Sequence, residues 1–233
     1  MGGEVESVGA AEARSALAWW LEAGVGAAIQ EDARNWLKPA PAIVREKAAA
    51  SPAPAEMPAP DTLAQFREWL ATSEHLPMAG RAARRVLPHG CERAAIMMLA
   101  EAPEDPSGPI GGDAWELAKR MLAAIHIRVE AAYSAALSFF HAPGARMTPA
   151  ERDALAEIAR THIRLAAPER LLLLGEGPCQ ALLGKPLAQA RGHVHKIEGV
   201  RTVATFHPRH LVNRPLDKSL AWQDLLLLME DES

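Results

Sequence analysis

Four short, continuous apolar runs set the strongest limit on how this chain folds. They are "AAIMMLAEA" (Ala94 to Ala102), "AAYSAALSFF" (Ala131 to Phe140), "RLLLLGE" (Arg170 to Glu176) and "RTVATFH" (Arg201 to His207). A strand with one wet face alternates apolar and polar residues, whereas a strand covered on both faces is apolar throughout. Helical patterns separate the runs: "DAWELAKRMLAAI" from Asp113, "TPAERDALAEIARTHIRLAA" from Thr148 and "GPCQALLG" from Gly177, with "DKSLAWQDLLLLME" closing the chain. Buried strands alternating with helices predict a three-layer α/β/α domain built on a mainly parallel, four-stranded central sheet.

Upstream the pattern differs. "AEARSALAWWLEAGV" (Ala11 to Val25) has helical spacing and stops at a glycine, and "KPAPAIVREKAAASPAPAEMPAP" is dominated by proline and alanine without periodicity. This divides the chain into an N-terminal helical extension (1–38), a Pro/Ala-rich linker (39–60) and a main domain (61–233), whose first helix is expected to begin at Asp61 as N-cap. The apolar face of the extension, with Trp19 and Trp20, is available to cap the main domain or to recruit another protein.

With 49% hydrophobic and 23% charged residues over 233 positions, the composition is that of a globular protein able to bury one main core. No apolar run approaches the roughly 20 residues of a membrane span, and Met1 to Ala10 lacks the basic-then-apolar order of a secretory signal, so a cytoplasmic monomer is expected. Cys91 and Cys179 are too few for a disulfide framework or a four-thiolate metal site, and "GPIGG" and "GEGPC" fit neither a dinucleotide nor a P-loop pattern. No metal and no cofactor are therefore expected.

Charge is segregated along the chain. The net charge is −4, yet from Gly177 to Lys218 seven cations (Lys185, Arg191, Lys196, Arg201, Arg209, Arg214, Lys218) face two acids (Glu198, Asp217). In parallel sheets ligands sit beyond the carboxyl ends of the strands. Two such ends carry polar chemistry, "AEAPEDPSGPIGG" after the first run and "FHPRHLVNRP" after the last, and the fold is expected to turn both toward one cleft.

These motifs resemble the uracil-DNA glycosylase superfamily, and within it the iron–sulfur (family 4) branch. "AEAP" (Ala100 to Pro103) is similar to the Gly-Glu-Ala-Pro-Gly motif, and Tyr133 with "HAPGAR" to the strand and loop ending in Arg-Pro-Pro-x-Asn-Arg. "LLLLGEGPCQALLG" and "RGHVH" follow as strand–helix and hairpin, and "FHPRHLVNRP" is similar to His-Pro-Ser-x-Leu-Leu-x-x-Pro. The resemblance covers about Asp61 to Glu230 with the motifs in order. It implies base excision in DNA repair: a deaminated base, uracil or a related one, is rotated out of single- or double-stranded DNA and its N-glycosidic bond hydrolysed.

What the resemblance implies for single residues can be stated by position. Glu101 becomes the carboxylate beside the cationic sugar, His207 the donor that steadies the departing base, and Asp105 the group that positions water. Pro103, Ile110 and Ala136 fall at base-pocket positions. Arg191, Arg209, Arg214 and Lys218 become phosphate contacts, and Leu211 with Val212 the apolar wedge that replaces the flipped base. The four cluster cysteines are absent: Thr72, His75, Phe140 and Ala156 stand there, and Phe140 and Ala156 are of the kind that packs. Ala136 and Ile110 replace the asparagine and the stacking aromatic, with Ser134 and Ser138 nearby, so those positions do not specify the base. Two other readings stay open: a catalytically degenerate DNA- or partner-binding module of the same fold, and an unrelated hydrolase using Cys179, whose "GEGPC" lacks the spacing of a nucleophile elbow.

Overall fold

In the computed structural model the described residues are 60–79 and 84–230, together with Ser15, which is helical and exposed. The chain divides into two units, Met1–Ser51 and Pro52–Ser233. Apart from Ser15 and Pro60, the N-terminal extension (1–38) and linker (39–60) lie outside the described residues, and the second unit is described below.

In chain order its elements are α1 (Leu63–Thr72), β1 (Arg84–Arg85), β2 (His89–Gly90), β3 (Ile96–Ala100), α2 (Gly112–Ala124), β4 (Ala132–Ala136), β5 (Phe140–His141) and α3 (Pro149–Ala166). They continue with β6 (Arg170–Leu174), α4 (Glu176–Leu183), α5 (Leu187–Ala190), β7 (Val194–Ile197), β8 (Val200–Thr205), α6 (Pro208–Asn213) and α7 (Lys218–Met229). The four apolar runs became β3, β4, β6 and β8, adjacent in the order β4-β3-β6-β8 and all parallel.

The sheet has six strands rather than the expected four. β2 pairs antiparallel with β4 at one edge, and β7 pairs antiparallel with β8 at the other. Neither reads as a buried run, because edge strands are covered on one side at most: His89 and Gly90 are exposed, and three of the four β7 residues are not buried. Glu198 and Gly199, at φ 49° and 82°, make the tight turn of the β7–β8 hairpin, where both central residues need the left-handed region.

Each parallel strand is buried on two faces, as a continuous apolar run requires. Met97, Leu99, Leu171, Leu173 and Ala204 pack against Phe66 of α1, Leu155 of α3 and Cys179 of α4. Ile96, Met98, Leu172, Leu174 and Val203 face the other way, onto Ala114 and Ala118 of α2 and Leu225 and Leu228 of α7. The result is the three-layer arrangement. Among the described residues no helix is long and apolar enough to cross a membrane.

Local signals explain the helix starts. Thr148 caps α3 in a capping box: its Oγ1 accepts from Glu151 N (3.2 Å) while Glu151 Oε2 accepts from Thr148 N (2.8 Å), and Pro149 occupies the first turn. In α1 the cap is Thr62, one residue beyond Asp61, with its hydroxyl accepting from Gln65 N. The stretch after His207 is a short helix rather than a loop, with Pro208 at its first position.

Strand order decides where the two polar strand ends meet. The chain leaves β3 toward β4 on one side, and it leaves β6 toward β8 on the other. Diverging connections open a crevice between neighbouring carboxyl ends. Here that crevice lies above β3 and β6, with β8 as its far wall.

Candidate functional site

A cavity of about 760 Å³ occupies this crevice, within the roughly 300–1,000 Å³ range of small-ligand pockets. Glu101 and Ala102 enter from the end of β3, Leu174 to Glu176 from the end of β6, and His207, Arg209, His210 and Asn213 from α6. Arg146, Met147 and Arg152 close the side formed by the start of α3. Glu101 and His207 therefore line one cavity.

Two glycines make this approach possible. A Cβ on Gly177, in the first turn of α4, would run into the Glu101 side chain, so the helix and the carboxylate come together only with glycine there. Gly175 sits at φ 88° between β6 and α4, with His207 directly beside it.

His207 caps α6 with its ring. Nδ1 accepts a hydrogen bond from Arg209 N at 3.2 Å, which leaves the proton of a neutral imidazole on Nε2. No described residue bonds Nε2, so that nitrogen keeps a free donor. Burial pushes His207 below the ordinary imidazole value; the Glu104 carboxylate partly offsets this and the Arg209 charge adds to it. The ring is consequently neutral near pH 7.

Glu104, which sequence reasoning left without a role, organises the site. Its Oε1 pairs with Arg209 and lies 3.5 Å from His207 Nδ1, while Oε2 accepts from Gly111 N at 3.3 Å. One carboxylate thus ties the β3–α2 loop to the β8–α6 corner. Asp105 does not line the cavity. Its Oδ1 accepts from Ser107 N at 2.7 Å and from the Ser107 hydroxyl, and these bonds hold its carboxyl below the usual carboxylate range. Gly111 packs so closely on the Asp105 carboxylate that no Cβ fits.

The expected base-pocket residues lie in the packed interior. Ile110 (4% exposed) and Ala136 (3%) belong to the core between the sheet and α2, and Pro103 is buried with its carbonyl accepting from His141 Nδ1 at 2.9 Å. Of the neighbouring serines, Ser138 Oγ accepts from Phe140 N, and Ser134 Oγ is buried without a partner among the described residues.

The five expected DNA contacts divide. Arg209 lines the cavity and is largely exposed. Arg214 and Lys218 are exposed on the stretch after α6. Arg191 is taken inward: its Nε donates to Asp224 Oδ2 at 2.8 Å, its guanidinium lies 4.2 Å over the Phe206 ring, and Thr205 donates to the same carboxylate oxygen. Leu211 is buried at 1% exposure, whereas Leu216, five residues on, is 91% exposed.

His210 and Asn213 face the cavity because α6 is helical: with His207 they recur every third residue and share a face. Reading that stretch as a helix is the signal that finds them. His210 stacks on Phe206 and bonds Asp217 Oδ2 at 2.6 Å. Arg152 lines the cavity with its Nε buried and unpartnered among the described residues.

Cys179 has no access to this chemistry. It is fully buried in the core, and burial with the Glu176 charge pushes its thiol up to about 12, so it stays protonated. Among the described residues no group of His, Cys, Asp and Glu is arranged to hold a metal. Of the four residues expected to stand in place of cluster cysteines, Phe140 and Ala156 are buried in the α3-side core, and Thr72 and His75 are exposed. No protein-family model and no curated protein sequence matches the chain.

Proposed function

We propose that this chain is a DNA N-glycosylase of base excision repair that takes a flipped, deaminated base into the cavity at the β3–β6 crevice. The observation that carries the reading is a neutral His207 with a free Nε2–H lining the same cavity as the Glu101 carboxylate. Breaking the glycosidic bond sends its electron pair into the base and leaves a cationic sugar. Nε2–H stabilises the anionic base by donating to its oxygen, and Glu101 stabilises the cation until water adds at the sugar carbon, its released proton ending on the base anion. A donor of this kind contributes about 10²–10³ in rate.

Arg209 and Arg152, both of which line the cavity, supply phosphate contacts. Asn213 is the one carboxamide among the cavity's described lining residues and so offers the paired donor and acceptor that Ala136 lacks. Leu216 is the exposed apolar tip that fills the gap left by the base, in place of the buried Leu211.

Packing of Ile110 and Ala136 into the core favours one second reading, a catalytically degenerate module that binds DNA through the same cations without turnover. The deciding experiment is base release from uracil-, hypoxanthine- and xanthine-containing DNA, single- and double-stranded, with Glu101→Gln and His207→Asn alongside. Asparagine keeps a helix cap, so His207→Asn isolates the ring from the fold. Release lost in both variants supports the glycosylase; binding without release from any substrate supports the module.

A further inference from the structure

A second depression, sharing no lining residue with the cavity, runs between α2 and α7 over the buried Leu211 of α6. Its volume is about 160 Å³, and its floor is apolar: Leu117 and Met121 from α2, Leu225 from α7. Trp222 forms one wall at 40% exposure, and Leu226, one helical turn along, is 45% exposed. Exposed apolar surface beside an apolar slot is a candidate interaction site.

Charge at the rim says what kind of occupant fits. Arg120 and Lys218 both line the groove and are exposed, and neither has a carboxylate partner among the described residues. Neighbouring Lys119, by contrast, pairs with Glu116 at 2.7 Å. No acidic side chain is among the described residues that line the groove. An apolar slot flanked by two unneutralised cations is complementary to a segment that is acidic and carries a bulky apolar side chain.

We propose that this groove docks an acidic peptide segment of another protein, one large apolar side chain filling the slot beside Trp222 while flanking carboxylates pair with Arg120 and Lys218. The proposal does not rest on the glycosylase reading: its residues lie outside the cavity, and the variants tested below leave Lys218, an expected phosphate contact, unchanged.

The test is fluorescence anisotropy of a labelled peptide carrying several aspartates around one phenylalanine, titrated with the full chain. Binding is expected to weaken with salt, to disappear when the phenylalanine becomes serine, and to weaken by about tenfold or more in Arg120→Glu and in Trp222→Ala, both of them surface positions. Circular dichroism and base release of these variants are expected to match the parent. Failure of the parent to bind, or equal binding by both variants, overturns the proposal. So does light scattering that shows a dimer abolished by Trp222→Ala, which would make a second copy the occupant. Loss of DNA binding in Arg120→Glu would assign the surface to nucleic acid instead.

Discussion

The Glu104 carboxylate lies 3.5 Å from Nδ1 of His207, so the loop after β3 and the corner after β8 share one charge. Glu104 holds the His207 pKa up against the effects of burial and Arg209. In Glu104→Gln that support is gone and His207 protonates at lower pH. If neutral His207 is the working form, the acid limb of the base-release profile moves to lower pH. A pH–rate series on both proteins measures this; a limb that moves upward would show that the coupling is not electrostatic.

Leu211 and Leu216 are expected to separate stability from activity. Leu211→Ala removes a fully buried side chain at the α6–α2 contact and costs about 2–5 kcal/mol in urea unfolding. Leu216→Ala touches a side chain 91% exposed and leaves the midpoint within about 0.5 kcal/mol. On duplex DNA it slows base release about tenfold, with a smaller effect on single strands, because only the duplex pays for an unstacked base.

Arg191 is expected to act on stability rather than on DNA. Its partner Asp224 is 2% exposed, so Asp224→Ala leaves a guanidinium and the Thr205 hydroxyl without their acceptor and costs about 3–5 kcal/mol. Replacing both members with apolar residues, Arg191→Met with Asp224→Leu, recovers most of that loss in thermal unfolding. Salt dependence of DNA binding is unchanged in the double variant, whereas Arg209→Ala lowers its slope by about one.

His162 makes the fold sensitive to acid. Its Nε2 bonds the Tyr133 hydroxyl at 2.7 Å, its Nδ1 is buried without a partner among the described residues, and burial together with the Arg67 charge lowers its pKa to about 3. The unfolded chain takes up this proton near pH 6.5 and the folded protein does not. This group's contribution to stability is therefore fully present above pH 6.5 and is lost progressively as pH drops from 6.5 toward 3. Urea unfolding of His162→Phe at a series of pH values is expected to show a shallower decline; an equal slope would locate the acid sensitivity elsewhere.

Local chemistry made much of this protein legible in its sequence. Runs such as "IMMLA" and "RLLLL" require a sheet covered on both faces, and "TPAE" writes its own capping box, because burial on two sides and hydrogen bonds three residues apart leave direct marks on residue order. The same logic made the two polar strand ends visible, and with them Glu101 and His207. It missed β2, since a short, exposed edge strand carries no such mark, and β7 was expected only through the hairpin that the resemblance placed at "RGHVH".

Tertiary structure alone decided which polar residue does what. Glu104 and Asp105 are neighbours of equal chemistry, and loop closure onto Gly111 and Ser107 turns one into the cavity and locks the other away. Arg191 reads as a free cation until Asp224, 33 residues on, takes it. Leu211 and Leu216 differ only in whether α2 covers them. Strand order, which placed the crevice between β3 and β6, follows from pairings distant in sequence. Periodicity records which residues are buried, and only the packed chain determines which of them meet.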